Sequence, residues 1–400
     1  MKYNILIKYI NSIPSATEEN KIDVGRIRLL CEKLGRVNVG GGYIYTSGGE
    51  FAHGVGMILE SVIKGAGYSV GRITDVYNFD IKRSVYLDGA APSVEEYTNI
   101  LTYIRDILKK NKDISFLREE VVFAFCLYVC KTLGVKYVIL ENTCEDKALM
   151  FESCAPYNFA IIPKLYGDVK EGELELVSAC IDKVNRGVVT GNNQLYNYFS
   201  GRCHKAGIRL SIHRSVDVVD EKIRQQIFLY NKREYTLKSY SDVLRDAAIS
   251  TLELVDMMKN HGAKIPPSGI CEGVKAAGNC GCMDVYSLSP MIICNMLGTA
   301  GQVVALREKI QNYAKKQDFK KILLCLDSDA DNLFAISEFS KCEDVEIICI
   351  GENKDGALSN KDVAIKIMSE ENRDALTLVL GGLDFTDAVK AALKAKTDKY

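Results

Sequence analysis

Read for apolar and polar positions, the chain opens with two amphipathic helices. One runs from Tyr3 to Ile13 and stops before Pro14. The other, Asp23 to Leu34, sets Ile27, Leu30, Cys31 and Leu34 at helical spacing and is closed by Gly35. A triple glycine, Gly40 to Gly42, precedes a strand, and the stretch Tyr43-Ile-Tyr-Thr-Ser-Gly-Gly-Glu-Phe-Ala-His-Gly54 hands that strand over to a helix, Val55 to Lys64. Gly65-Ala-Gly67 leads into a strand from Tyr68 to Ile73, so the segment predicts a βαβ unit with a glycine-rich first turn. Ser84 to Gly89 reads as strand and turn, and a helix capped by Ser93 continues through Tyr97 to Lys109. Glu119 to Leu133 is apolar all round and predicts a buried helix. Val135 to Glu141 predicts a buried parallel strand with an acid at its carboxyl end, and Phe159 to Pro163 and Gly187 to Thr190 add short strands.

After a helix from Asp242 to Lys259, Pro266-Pro267 and the glycine- and cysteine-rich stretch Gly269 to Cys282 mark a domain boundary. A second alternation follows: strand Met291 to Cys294, helix Ala300 to Lys315, strand Lys321 to Leu326, a helix near Leu333, strand Val345 to Ile350, helix Lys361 to Met368, strand Ala375 to Leu380 and helix Thr386 to Ala395. The pattern predicts an α/β protein of two domains, residues 1–278 with a doubly wound sheet and residues 279–400 with a smaller α/β unit.

Composition narrows the classes. The chain has 400 residues, 47% of them hydrophobic and 26% charged, with a net charge of −1, as expected of a globular cytoplasmic protein with neither nucleic-acid nor membrane partners. No apolar stretch approaches the roughly 20 residues that span a bilayer, and the first residues lack a signal-peptide core. The 14 cysteines read as reduced and buried. A denser group, Cys271, Cys280, Cys282 and Cys294, raises a cysteine metal site as an alternative, but Cys280-x-Cys282 is too tight for an ordinary zinc knuckle.

The glycine-rich turn carries the most chemistry. A phosphate-binding loop ends in Gly-Lys-Ser/Thr, whose lysine reaches the phosphates and whose hydroxyl holds Mg²⁺. Here Gly48, Gly49, Glu50, Ala52, His53 and Gly54 occupy those places, without the lysine and the hydroxyl, and Glu50 would repel a triphosphate. His53 reads as a loop-packing side chain, with a new functional role as the alternative. Asp327, Asp329 and Asp331 follow a strand, where alternating acids either form a structural turn or hold a cation.

From end to end the chain resembles the folylpolyglutamate synthase/dihydrofolate synthase branch of the Mur ligase superfamily. The similarity lies in Tyr9 to Pro14, Arg26 to Gly35, Ala66 to Gly71, Leu87-Asp-Gly89 with Ser93 to Tyr97, Tyr137 to Glu141, and Pro290-Met-Ile-Ile. It implies a Mur-ligase-like architecture with a P-loop-type first domain. It also implies ATP- and Mg²⁺-dependent joining of an amine, usually of glutamate, to a folate-like carboxylate. Position by position, the family's phosphate-loop lysine falls on Ala52 and its serine on Gly54. Its metal-binding glutamate falls on Arg118, or on Glu119 with a slip of one residue, while Glu141 is kept. An Asp-His pair becomes Asp168-Val169, the carbamylated lysine falls on Ser178, and the adenine-contacting motif falls near Ser241 to Arg245. In the C-terminal domain the family's motifs become Gly281 to Asp284 and Asn295 to Thr299, without arginine or histidine. The leading expectation is therefore a binding or regulatory pseudoenzyme with no assigned catalytic residue. Its partner would be a folate-like small molecule or a protein, and its cleft would be lined by Arg118, Glu119, Glu141, Asp168, Asp284 and Asn295. The alternative is an active ligase with rebuilt chemistry, using ATP and Mg²⁺ with Lys147 or Arg118, or the 327–331 acids with a metal.

Overall fold

The structure is a computed structural model. It describes residues 3–74, 76, 81–142, 145–165, 171–191, 195–213, 216–277, 281–298, 300–327, 332–342, 344–350 and 358–397. Helices α1 (Tyr3–Asn11) and α2 (Val24–Lys33) open the chain, α2 capped by the Asp23 carboxylate. Strands β1 (Gly42–Ser47), β2 (Val70–Ile73), β3 (Val85–Leu87), β4 (Tyr137–Asn142), β5 (Tyr157–Ile162), β6 (Val184–Gly191) and β7 (Arg209–His213) form one sheet in the order β3-β2-β4-β1-β5-β6-β7. Every neighbouring pair is parallel except β2 with β3. β1 alternates its side chains between the two faces. Tyr43 and Tyr45 enter the core made with α1, α2, α4 (Val94–Lys110) and α5 (Arg118–Thr132), whereas Ile44 enters the core made with α3 (Gly49–Gly65). The short helices α6 (Glu145–Phe151), α7 (Glu171–Ser178) and α8 (Tyr196–Lys205) fall between the later strands. Ser93 caps α4 with a full capping box to Glu96.

No element was expected between 191 and 241, yet β7 and an antiparallel three-stranded sheet lie there: β8 (Val218–Lys222), β9 (Gln225–Tyr230) and β10 (Arg233–Leu237). The β9–β10 turn is Asn231-Lys232, both at positive φ, which is the two-residue hairpin geometry without the glycine that usually announces it. Next come α9 (Asp242–Asn260) and α10 (Pro267–Ala276). The expected boundary stretch is thus largely helix. Pro267 occupies a first-turn position, where its missing N–H costs nothing, and α10 packs so tightly on α3 that a Cβ at Gly273 would lie 2.7 Å from Val62 N. The expected division at 278/279 lies outside the described residues.

The second sheet has the order β11-β12-β15-β13-β14, from β11 (Asp284–Leu288), β12 (Met291–Met296), β13 (Lys321–Asp327), β14 (Val345–Ile350) and β15 (Ala375–Gly381), all parallel but β11. It is accompanied by α11 (Ala300–Lys316), α12 (Leu333–Phe339), α13 (Asn360–Ile367) and α14 (Leu383–Thr397). Among the described residues, no helix is long and apolar enough to cross a membrane.

Candidate functional site

Ligands of open α/β sheets bind beyond the carboxyl ends of the strands where the order reverses, here around β4-β1-β5. The expected glycine-rich loop at the end of β1 is not a loop. A single residue, Gly48, at φ 102°, separates β1 from α3, and the helix begins at Gly49 rather than Val55. Glu50, Phe51, Ala52, His53 and Gly54 are therefore buried helical residues. The cause is legible afterwards: Phe51, Val55, Ile58 and Val62 share one apolar face, and all four are buried in the same core. Only glycine fits at 48, where a Cβ would lie 2.7 Å from Pro163 Cγ. Gly54, at the hydroxyl position, is a packing residue, since a Cβ there would lie 2.8 Å from Leu244 Cδ1 of α9.

Two buried carboxylates flank this helix start. Glu141, at the end of β4, is held on both oxygens: Arg72 Nη1 donates to Oε1 at 2.9 Å, and His53 Nδ1 lies 3.1 Å from Oε2. Arg72 Nε also donates to Glu60 Oε2 at 2.8 Å, Gly89 N donates to Glu60 Oε1, and the guanidinium lies over the Tyr86 ring. Burial pushes the Glu141 carboxyl up, but Arg72 and His53 outweigh it and hold it below the usual range. Gly56 makes room for this network; a Cβ there would sit 1.9 Å from Glu141 Oε1. His53 is thus a member of an internal ion network, neither a loop residue nor a solvent-facing one. Sequence reasoning missed Arg72 and Glu60, although opposite charges inside two otherwise apolar segments, Met57 to Ile63 and Val70 to Ile73, were a visible signal.

Glu50 is held differently. Asn295 Nδ2 of β12 donates to its Oε2 at 3.1 Å, and Ser241 Oγ, which caps α9, lies 3.3 Å from Oε1. Burial, with Asp284 adding its charge, pushes Glu50 up to about 7 against the pull of the Asn295, Cys282 and Ser241 donors. The next link is Gln302 of α11, also missed in the sequence, whose Nε2 donates to Gly48 O at 3.2 Å.

The other expected cleft residues are distributed more widely. Arg118 and Glu119 open α5: Arg118 donates to Glu119 Oε1, and Glu119 Oε2 accepts from Ala16 N, so the pair anchors the segment after α1. Neighbouring Glu120 takes Arg26 and the Asp23 amide. Asp284 accepts from Gly281 N at 2.9 Å and lies 3.7 Å from Lys390; burial raises its carboxyl. Ser178 is buried under Arg202, which donates to its Oγ at 2.8 Å, and Lys147 is buried on α6. Asp327 ends β13, while Asp168, Asp329, Asp331 and Cys280 lie outside the described residues. Cys282 Sγ donates to Glu50 O, and among the described residues no cluster of three or more His, Cys, Asp or Glu side chains is placed to hold a metal ion.

These residues do not fit a magnesium triphosphate. The Gly48 amide donates to Asn142 O and those of Phe51 and Ala52 turn onto Gly48 O, and both Glu141 oxygens are already taken by Arg72 and His53.

Two parallel-rich sheets, one of seven strands and one of five, define a two-sheet α/β architecture. No protein-family model matches the chain, and no curated protein matches it by sequence. Among solved structures it is similar to folylpolyglutamate synthetase from Lactobacillus casei, with a TM-score of 0.75 and 16% identity over 98% of this chain and 100% of that one. It is likewise similar to a folylpolyglutamate synthase–AMPPCP–folate complex, with a TM-score of 0.78 and 14% identity over 99% of both chains. The Mycobacterium tuberculosis synthase complexed with ADP and AMPPCP gives a TM-score of 0.69 and 15% identity, over 99% of this chain and 92% of that one. The chain therefore has the fold of the folylpolyglutamate synthases along nearly its whole length.

Proposed function

We propose that this chain is a pseudoenzyme on the folylpolyglutamate synthase fold: a binding or partner-regulating protein that has lost ATP-dependent amide ligation. The observation that carries the reading is the one-residue hand-over from β1 to α3, which removes the phosphate cradle and buries Glu50 where a triphosphate would need donors. Arg72 at Glu141, the kept strand-end acid, and Arg202 at Ser178, where the resemblance places a carbamylated lysine, add to it, because each sets a guanidinium at a position the resemblance singles out. The folate-like ligand is carried over from the folate complex among the neighbours, and the division into 1–278 and 279–400 from the two sheets.

The test is to incubate the protein with Mg-ATP, glutamate and a reduced folate and to follow ADP release and folate mass. The expected result is neither product above the protein-free control. Robust, folate-dependent ligation would overturn the reading in favour of a ligase with rebuilt residues.

A further inference from the structure

Glu50 joins two parts of the molecule. It stands in the first turn of α3, on the seven-stranded sheet, and it accepts from Asn295 of β12, on the five-stranded sheet. Around it the two halves meet repeatedly. Gln302 donates to Gly48 O, and Cys282 Sγ donates to Glu50 O. Lys309 of α11 sits between Glu221 of β8 at 2.6 Å and Asp242 of α9 at 3.0 Å, with its ammonium 4.0 Å from the centre of the Tyr240 ring. Tyr240 in turn packs edge-on against Tyr313. Glu50 stands apart, because its described side-chain partners, Asn295, Ser241 and Cys282, are all neutral donors.

We propose that Glu50 is the proton-operated bolt of a latch between the two sheets: protonated, it holds β12 and α11 closed on the start of α3, and ionised, it releases them. Ser241 Oγ and Asn295 Nδ2 both donate to the carboxylate; a neutral carboxyl would turn the Ser241 contact round, donating its O–H to that hydroxyl while still accepting from Asn295, so both oxygens stay satisfied. An ionised one is a buried anion that, among the described residues, has no cation bonded to it. Asp284 of β11 opposes ionisation, and Lys390 of α14 is engaged with Asp284. Asp242 of α9 and Lys309 of α11 line the adjoining crevice but are bonded to each other, and Arg245 is paired with Asp242. His53, one turn along α3, is bound to Glu141. The Cys282 thiol donates to Glu50 O and is also a neutral donor to its carboxyl. Burial places the carboxyl at about 7 when closed, against the ordinary 4.5 when released. Closing therefore takes up a proton, and the latch weakens as pH rises between these two values and levels off above the higher one. This inference rests on the interface geometry and the burial of Glu50, not on the loss of ligation.

Hydrogen exchange of β12, the first turn of α11 and the start of α3, corrected for intrinsic rates, tests it on the full chain at pH 5, 6, 7 and 8. The natural protein is expected to lose protection in these segments by about tenfold per pH unit between pH 5 and 7, with a plateau above. Glu50→Gln, neutral and of the same shape, is expected to stay protected at every pH, and His53→Gln to keep the natural profile. Flat protection in the natural protein overturns the proposal even if no variant folds. So does a pH profile in Glu50→Gln like that of the natural protein, or one abolished by His53→Gln.

Discussion

Glu50 and Glu141 are equally buried carboxylates beside the same helix, and their surroundings give them opposite behaviour. Glu141 lies between Arg72 and His53, which overcome the cost of burial and hold it below the usual carboxylate range. Glu50 receives neutral donors and an acidic neighbour, and rises to about 7. Glu141 therefore contributes stability above its ordinary value, which is lost as pH falls through the depressed folded value. Glu50 contributes stability that is full below its ordinary value and is lost as pH rises towards the raised one. One carboxylate keeps the central sheet closed on itself with permanent charge; the other joins the two sheets with a removable proton. The comparison shows that burial alone does not set the role of an acid; the charge of its partners does.

The largest effect comes from taking away the cation. Arg72→Met leaves Glu60 and Glu141 buried without it and is expected to cost about 3–5 kcal/mol in urea unfolding. Adding Glu60→Gln and Glu141→Gln should recover much of that loss. A single-variant loss within experimental error would mean that the network is not what holds the sheet end. Next, Glu50→Gln is expected to stabilise the protein by up to roughly 3 kcal/mol at pH 8 and to change little at pH 4, because the substitution removes the cost of an ionised group with a raised pKa; unfolding curves at the two pH values check the sign. Gly56→Ala drives a Cβ into the Glu141 carboxylate and is expected to cost about 1–3 kcal/mol, read as a lowered melting temperature. At the small end, the exposed Arg83–Asp387 pair spans the two halves at 3.6 Å, and Arg83→Ala should change stability by less than about 1 kcal/mol. A larger loss there would move the latch away from Glu50.

Much of the fold was legible because its apolar runs are unambiguous. The buried helix α5, the strand β4 and the alternation from β12 to α14 all lie within a few residues of their expected positions. The β8–β10 hairpin was not legible, because Asn231-Lys232 turns the chain without a glycine and the strands are partly exposed. The site was misread at its centre for a physical reason. Gly48-Gly49 reads as the start of a phosphate loop, whereas the periodicity of Phe51 with Val55 and Ile58 favours continuing the helix back to Gly49. Arg118 and Glu119 were aligned with metal chemistry, yet their described bonds hold the N-terminal segment. Arg72, Glu60 and Gln302 gained their significance only through contacts made across sheets and helices, which no local spacing reveals.

Calorimetric titration with Mg-ATP tests the central claim most directly, on the natural protein and on Ala52→Lys/Gly54→Ser. A sealed hand-over predicts no binding heat up to millimolar nucleotide in either, since a lysine at 52 would emerge from a buried helix turn rather than from a loop. Micromolar binding by the natural protein would contradict the account, because it would require the start of α3 to unwind into the cradle that the packing of Phe51 and Glu50 excludes.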